Sequence, residues 1–221
     1  MAKWITLGLV LWTVTATAED VSVDELDAWT VLSFSSIPPN EVSVVDGALS
    51  IKVRASASPL IYGFDTPTTL TAITVVGEWQ GELRIPDGVV QGDKGADDFV
   101  LKFGVVEAGD RRLNFFQRRI AADWIKQLFK LAPKDSGVER INFLSTTQQA
   151  DQLNNRRTHP LSDLLYEARI LHLAEPGRFT MSYEFVEPVE TLGLWISTDG
   201  DDTGSNFDLR LESITLQTPG S

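Results

Sequence analysis

Apolar side chains recur at every second position through most of this chain. In Ala48–Arg54, Leu49, Ile51 and Val53 alternate with Ser50, Lys52 and Arg54, which predicts a strand with one buried and one wet face. Phe99, Leu101, Phe103 and Val105 share a face in the same way, as do Phe179, Met181, Tyr183 and Phe185, then Leu192, Leu194 and Ile196. Phe207, Leu209 and Leu211 alternate with Asp208, Arg210 and Glu212, after which the apolar positions jump to Ile214 and Leu216. That slip at Glu212–Ser213 predicts a β-bulge, or a strand that passes from one neighbour to another. Turn signals divide the runs at Pro38-Pro39-Asn40, Asp46-Gly47, Pro86-Asp87-Gly88, Glu175-Pro176-Gly177 and Asp199-Gly200. Many short strands, regular turns and little helix predict an all-β, jelly-roll-like antiparallel sandwich.

One segment departs from this period. Across Arg118–Ala132, Ile120, Ala121, Trp124, Ile125, Leu128 and Leu131 recur at three- and four-residue spacing, the signature of one inserted amphipathic helix. Pro133 ends it. Leu164–Ala174 fits helix or strand, and its β neighbours favour strand.

The first eighteen residues obey a third rule. Lys3 precedes the apolar run Trp4–Val14, and Ala16-Thr17-Ala18 follows with small residues. This order is that of a secretory signal peptide, whose core is too short to span a bilayer stably. Residues 1–18 are therefore expected to be removed, leaving 19–221 as one exported domain, periplasmic or extracellular and not integral to a membrane. The absence of cysteine in a chain bound for an oxidising compartment puts the whole burden of stability on one packed core.

Charge narrows the partners. The net charge of −12 repels nucleic acid. Yet Arg111, Arg112, Arg118, Arg119, Lys126, Lys130 and Lys134 crowd into one short stretch with Asp123 as its acidic member. They form either the wet face of the helix or a patch for an anionic glycan or envelope lipid, with the arginines suited to bidentate contacts.

Three stretches, taken together, resemble a known pattern. Val44-Val45-Asp46-Gly47-Ala48-Leu49-Ser50-Ile51 leads into Ala55-Ser56-Ala57-Ser58-Pro59-Leu60, Asp97-Asp98-Phe99 follows, and Thr198-Asp199-Gly200-Asp201-Asp202-Thr203-Gly204 stands near the end. This order resembles an uncharacterised family of exported bacterial domains of unknown function, with a terminal hallmark similar to T-D-x-D-[ND]-T-G. The closing Ile214-Thr215-Leu216 is similar to the last strand of carbohydrate-binding jelly rolls. The resemblance implies a jelly-roll sandwich and an exported location; the family has no activity to transfer.

Candidate chemistry is sparse. Asp199, Asp201 and Thr203 alternate before Gly204 and Ser205, the opening half of a Ca²⁺ loop, but Arg210 stands where a closing bidentate Glu belongs. The alternative is a turn capped by its own side chains. His159 and His172 lie in no catalytic motif. Trp79 and Trp195, each mid-strand, are either core residues or platforms for a sugar face. The expected function is a non-catalytic binding module for a glycan or envelope component, with possible Ca²⁺ dependence. The alternatives are a polysaccharide hydrolase or lyase on the same scaffold and a structural envelope protein.

Overall fold

The structure, a computed structural model, describes residues 16–160 and 162–220. Most of the expected signal peptide, residues 1–15, lies outside them. In chain order, β1 (Thr17–Val21), β2 (Thr30–Val31), β3 (Glu41–Val45), β4 (Ala48–Arg54), β5 (Leu60–Glu82) and β6 (Lys102–Gly109) come first. Two helices follow, α1 (Phe115–Ile120) and α2 (Asp123–Lys130). The chain then returns to strands β7 (Gly137–Thr147), β8 (Arg156–Thr158), β9 (Leu165–His172), β10 (Gly177–Ser197) and β11 (Asn206–Thr218). The expected cleavage point after Ala18 falls inside β1, where Thr17 and Ala18 face Thr218 and Gln217 of β11.

Hydrogen bonds link the strands in the order β3-β4-β11-β5-β10-β6-β7-β9-β8. The path folds into two layers because β5 and β10 are long enough to serve in both. Residues 72–79 of β5 pair with 177–184 of β10 and with β11, whereas residues 60–63 pair with 193–196 of β10. Those same β10 residues pair on their other side with β6. Register shifts at Glu184/Val189 and Thr191/Gly193 break the ladder between the two halves. Between the layers lies a core to which β4, β5, β10 and β11 contribute from one side and β6, β7 and β9 from the other. The protein is an all-β, jelly-roll-like sandwich.

The alternating positions settle largely as their period requires. Leu49, Ile51, Val53, Phe99, Leu101, Phe103, Phe179, Met181, Leu194 and Ile196 are buried. Leu192, expected beside Leu194 and Ile196, is buried too, but the register shift between Thr191 and Gly193 puts it with Leu128, Ile141 and Trp195 instead. Tyr183 and Phe185 pack at the margin of the core. Phe99 is buried but precedes β6, which begins at Lys102, and it does not share the face of Leu101, Phe103 and Val105: its ring lies under the Lys102 ammonium and the Arg169 guanidinium of the outer face. The slip near Glu212 has both expected causes at once. The register against β5 shifts between Leu211 and Ser213, and β11 exchanges β4 for β1 as its outer neighbour across the same point.

Two expectations are corrected. The sheet is not wholly antiparallel, since β7 and β9 run parallel; the segment between them carries β8, which takes the antiparallel place beside β9. The single helix over 118–132 is two. A capping box between Asn114 and Gln117 starts α1 early, and extended Ala121 and Ala122 separate it from α2. Only α2 turns its apolar face inward, burying Leu128 among Ile61, Val106, Val138, Ile141, Leu192 and Trp195. Ile120, expected on that face, is 86% exposed.

Candidate functional site

The second layer buries apolar residues on both faces. Its inner face closes the core; its outer face, under α2 and several loops, holds a cleft of about 730 Å³. Register places the outer-facing side chains of β10, β6, β7 and β9 in three rows. Gly193, Val106, Ile141 and Leu165 form an apolar row, and Trp195, Gly104, Phe143 and Glu167 form the next. Ser197, Lys102, Ser145 and Arg169 form the third. The face therefore grades from apolar to charged over three rows of side chains.

Gly104 lets the middle row close. A Cβ there would come within 2.7 Å of Ile141 Cγ2 and 2.9 Å of both Phe143 Cε1 and Trp195 Cβ. Without it, Phe143 and Trp195 close in over β6 from either side. Trp124 of α2 meets Trp195 edge to face, with ring centroids 6.1 Å apart, a favoured aromatic geometry. Phe34 and Ile37 add to the apolar side of the cleft.

At the charged end, Lys102 Nζ lies 3.1 Å from Asp97 Oδ1, 3.8 Å from Asp199 Oδ2 and 4.0 Å from Glu167 Oε1. Burial alone would lower its pKa, but Asp97, Asp199 and Glu167 together raise it above the ordinary lysine value. Glu167 is buried as well, and Lys102 and Arg157 hold its pKa below the usual carboxylate range against that burial. Arg157 Nε donates to Glu167 Oε2 at 2.7 Å and Nη1 donates to Asp93 Oδ1 at 2.9 Å. Asp199 goes the other way: burial pushes it up to about 7, offset in part by Lys102 and by the Ser197 hydroxyl that donates to it. Two carboxyls around one ammonium are thus shifted in opposite directions.

Asp97, His159 and Glu167 each present a ligand atom within 4.8 Å of the others, a set able to contact a cation. The Lys102 ammonium beside Asp97 and the Arg157 guanidinium on Glu167 already supply positive charge there.

The residues singled out in the sequence are distributed as follows. Trp195 lines the cleft. Trp79 does not; it is buried in the core, edge-on to Phe207, so it offers no platform. Asp199, Thr203 and Ser205, three of the expected Ca²⁺ ligands, are engaged with protein groups. Asp199 faces Ser197 and Lys102, and the Thr203 hydroxyl donates to Asp98 at 2.6 Å. The Ser205 hydroxyl accepts from the Arg84 amide and bonds Thr203. Asp98 accepts from the amides of Asp202 and Thr203, while Asp202 accepts from those of Gly95 and Asp97. Asp98 and Asp202, rather than the alternating Asp199 and Asp201, thus tie the two loops together. Asp201 remains at the cleft, its pKa raised by burial and then by the charge of Asp98.

Arg111, Arg112, Arg118 and Arg119 are absent from the cleft lining. Arg111 pairs with Asp163 and Glu139, Arg112 donates to the Asp135 carbonyl, Arg118 donates to the Leu113 carbonyl and Arg119 lies over the Phe115 ring. Lys102, Asp97, Glu167 and Phe143 escape a reading of the sequence. The available signal is a charged residue set between buried neighbours, Lys102 between Leu101 and Phe103 and Glu167 in an apolar strand, which marks a strand covered on both faces.

No protein-family model matches the chain, and no curated protein matches it. Among solved structures it is similar to a carbohydrate binding module of family 29, at 8% identity and a TM-score of 0.39, covering 94% of this chain and 92% of that one. It is also similar to CBM29_1 of Piromyces equi, at 9% identity and a TM-score of 0.36, with 94% and 93% covered. The potassium-bound carbohydrate recognition domain of Emp46p aligns at 10% identity and a TM-score of 0.39, covering 89% and 91%.

Proposed function

We propose that this protein is an exported, non-catalytic binding module that holds a glycan in the cleft over β10, β6, β7 and β9. The observation that carries the reading is the row Trp195-Gly104-Phe143-Glu167 beneath Trp124. It sets an aromatic wall beside convergent carboxylates, the pairing a sugar requires for its apolar ring face and its hydroxyls. The charge of the lining refines the ligand. Asp93, Asp97, Glu167, Asp199, Asp201 and Asp202 outnumber Lys94 and Lys102, which favours a neutral or amino-bearing glycan over an anionic one.

A second reading, glycoside hydrolysis, is favoured by Asp199 raised to about 7 beside an ionised Glu167, the split expected of an acid and a base. Lys102 sits against both carboxyls, where a scissile bond would have to lie, and this weighs towards binding.

Glycan-array screening of the protein with and without Ca²⁺, followed by calorimetry on each hit, tests the proposal. The expected result is binding that is lost in Trp124→Ala and weakened at least tenfold in Asp97→Ala, insensitive to salt for a neutral glycan and weakened by salt for an amino-bearing one. Full affinity in Trp124→Ala, or no glycan bound at all, overturns it. Release of shortened oligosaccharides would replace it with the hydrolase reading.

A further inference from the structure

The basic stretch and the exposed apolar residues of this protein coincide. α1 has six residues, all exposed. Phe115, Phe116 and Ile120 are 69%, 77% and 86% exposed, three of the four most exposed large apolar side chains among the described residues. Around them stand Arg112, Arg118 and Arg119, also exposed. Their contacts are backbone carbonyls and the Phe115 ring, and none is paired with a carboxylate among the described residues. Single exposed apolar residues are ordinary; a cluster rimmed by charge marks a contact surface.

We propose that α1 is a docking element for an anionic lipid bilayer. Phe115, Phe116 and Ile120 enter the interfacial layer while Arg112, Arg118 and Arg119, interspersed with them, meet lipid phosphates at its surface. Charge complementarity selects this occupant. A second copy of the chain seated on the patch would bring arginine against arginine. An acidic polysaccharide would satisfy the arginines but supply no apolar phase for three large side chains. The bilayer supplies both. Its attraction for the patch also operates against the −12 charge of the whole chain, because screening confines each field to about 8 Å at physiological salt. This inference stands apart from the glycan proposal, whose cleft contains none of these residues.

The chain has no cysteine, so Phe116→Cys carrying an apolar environment-sensitive fluorophore reports on α1 alone, whatever the rest of the full chain does. The same dye at Val186→Cys, where the native side chain is 91% exposed, reports on another site. With vesicles of equal parts phosphatidylcholine and phosphatidylglycerol, the label at 116 shifts to the blue and brightens several-fold, and the label at 186 does not. Adding Arg118→Glu and Arg119→Glu removes the shift, as does salt at about 1 M, where the screening length falls to about 3 Å. The salt arm needs no further substitution, so a folding defect in the double variant leaves the test intact. The proposal is overturned by an absent shift, or by an equal shift on pure phosphatidylcholine. It is also overturned by a concentration-dependent shift without vesicles, which assigns the patch to a second copy, or by a shift produced only by an acidic polysaccharide.

Discussion

Trp79 in β5 stands between Glu78 and Gln80, and Trp195 in β10 between Leu194 and Ile196. Both rings are nearly inaccessible, but they belong to different regions. Trp79 lies in the core against Phe207, because polar neighbours take the wet face of its strand and leave it the buried one. At Trp195 the neighbours Leu194 and Ile196 already occupy the core, which turns the ring to the second face, under Trp124 and into the cleft. A tryptophan flanked by polar residues is thus core. One flanked by core residues signals a face covered by something else, and that cover makes the site.

The sharpest test of this contrast exchanges each ring for alanine. Trp79→Ala is expected to cost about 3–5 kcal/mol in urea denaturation, the range for deleting a buried aromatic, with glycan affinity unchanged in the molecules that remain folded. Trp195→Ala should cost less, since one side of its ring borders a cavity, and should abolish binding. Equal stability losses with binding retained in both would erase the distinction between core and cleft.

Gly104→Ala probes the floor of the cleft alone. Its Cβ meets three side chains below 3.0 Å, so overpacking should cost about 1–3 kcal/mol and displace Trp195 and Phe143 enough to weaken binding. An unaltered melting temperature with full affinity would mean that the rings do not depend on the gap.

A pH dependence tests the charged end of the cleft. A carboxyl whose folded pKa lies above its unfolded one binds more protons when folded, so stability falls as pH rises between the two values. For Asp199 that window runs from its ordinary 3.8 to about 7. Glu167, held low, contributes in the opposite sense and only as pH drops below its ordinary 4.5. Asp199→Asn should therefore flatten the decline between about pH 4 and 7, read as urea midpoints across that range. A variant whose profile parallels the wild type would show that Asp199 ionises normally.

Local pattern made much of the fold legible. Period two identified β4, β6, β10 and β11, and the one-residue slip located the register shift at Glu212. The 3.6-residue period identified α2 but extended it backwards through Ala121 and Ala122, because amphipathic spacing does not register a two-residue break. The site was far less legible. Trp195 stood out as a large aromatic, whereas Asp199 drew notice for a Ca²⁺ loop and proved to be a buried partner of Lys102.

By itself, the sequence determined which side of each strand is apolar, where strands turn, that the chain has no thiol chemistry, and that its positive charge is gathered in one stretch. Those are properties of neighbouring residues. Only the tertiary structure decided what lies opposite each face. Asp97, Lys102, Glu167 and Asp199 meet because β9 pairs with β7, β7 with β6 and β6 with β10, and a period of two states a strand's faces without naming its partners. It also decided that α2 would cover the outer face of the second layer while α1 stands clear of it, which makes one a wall of the cleft and leaves the other open to a partner.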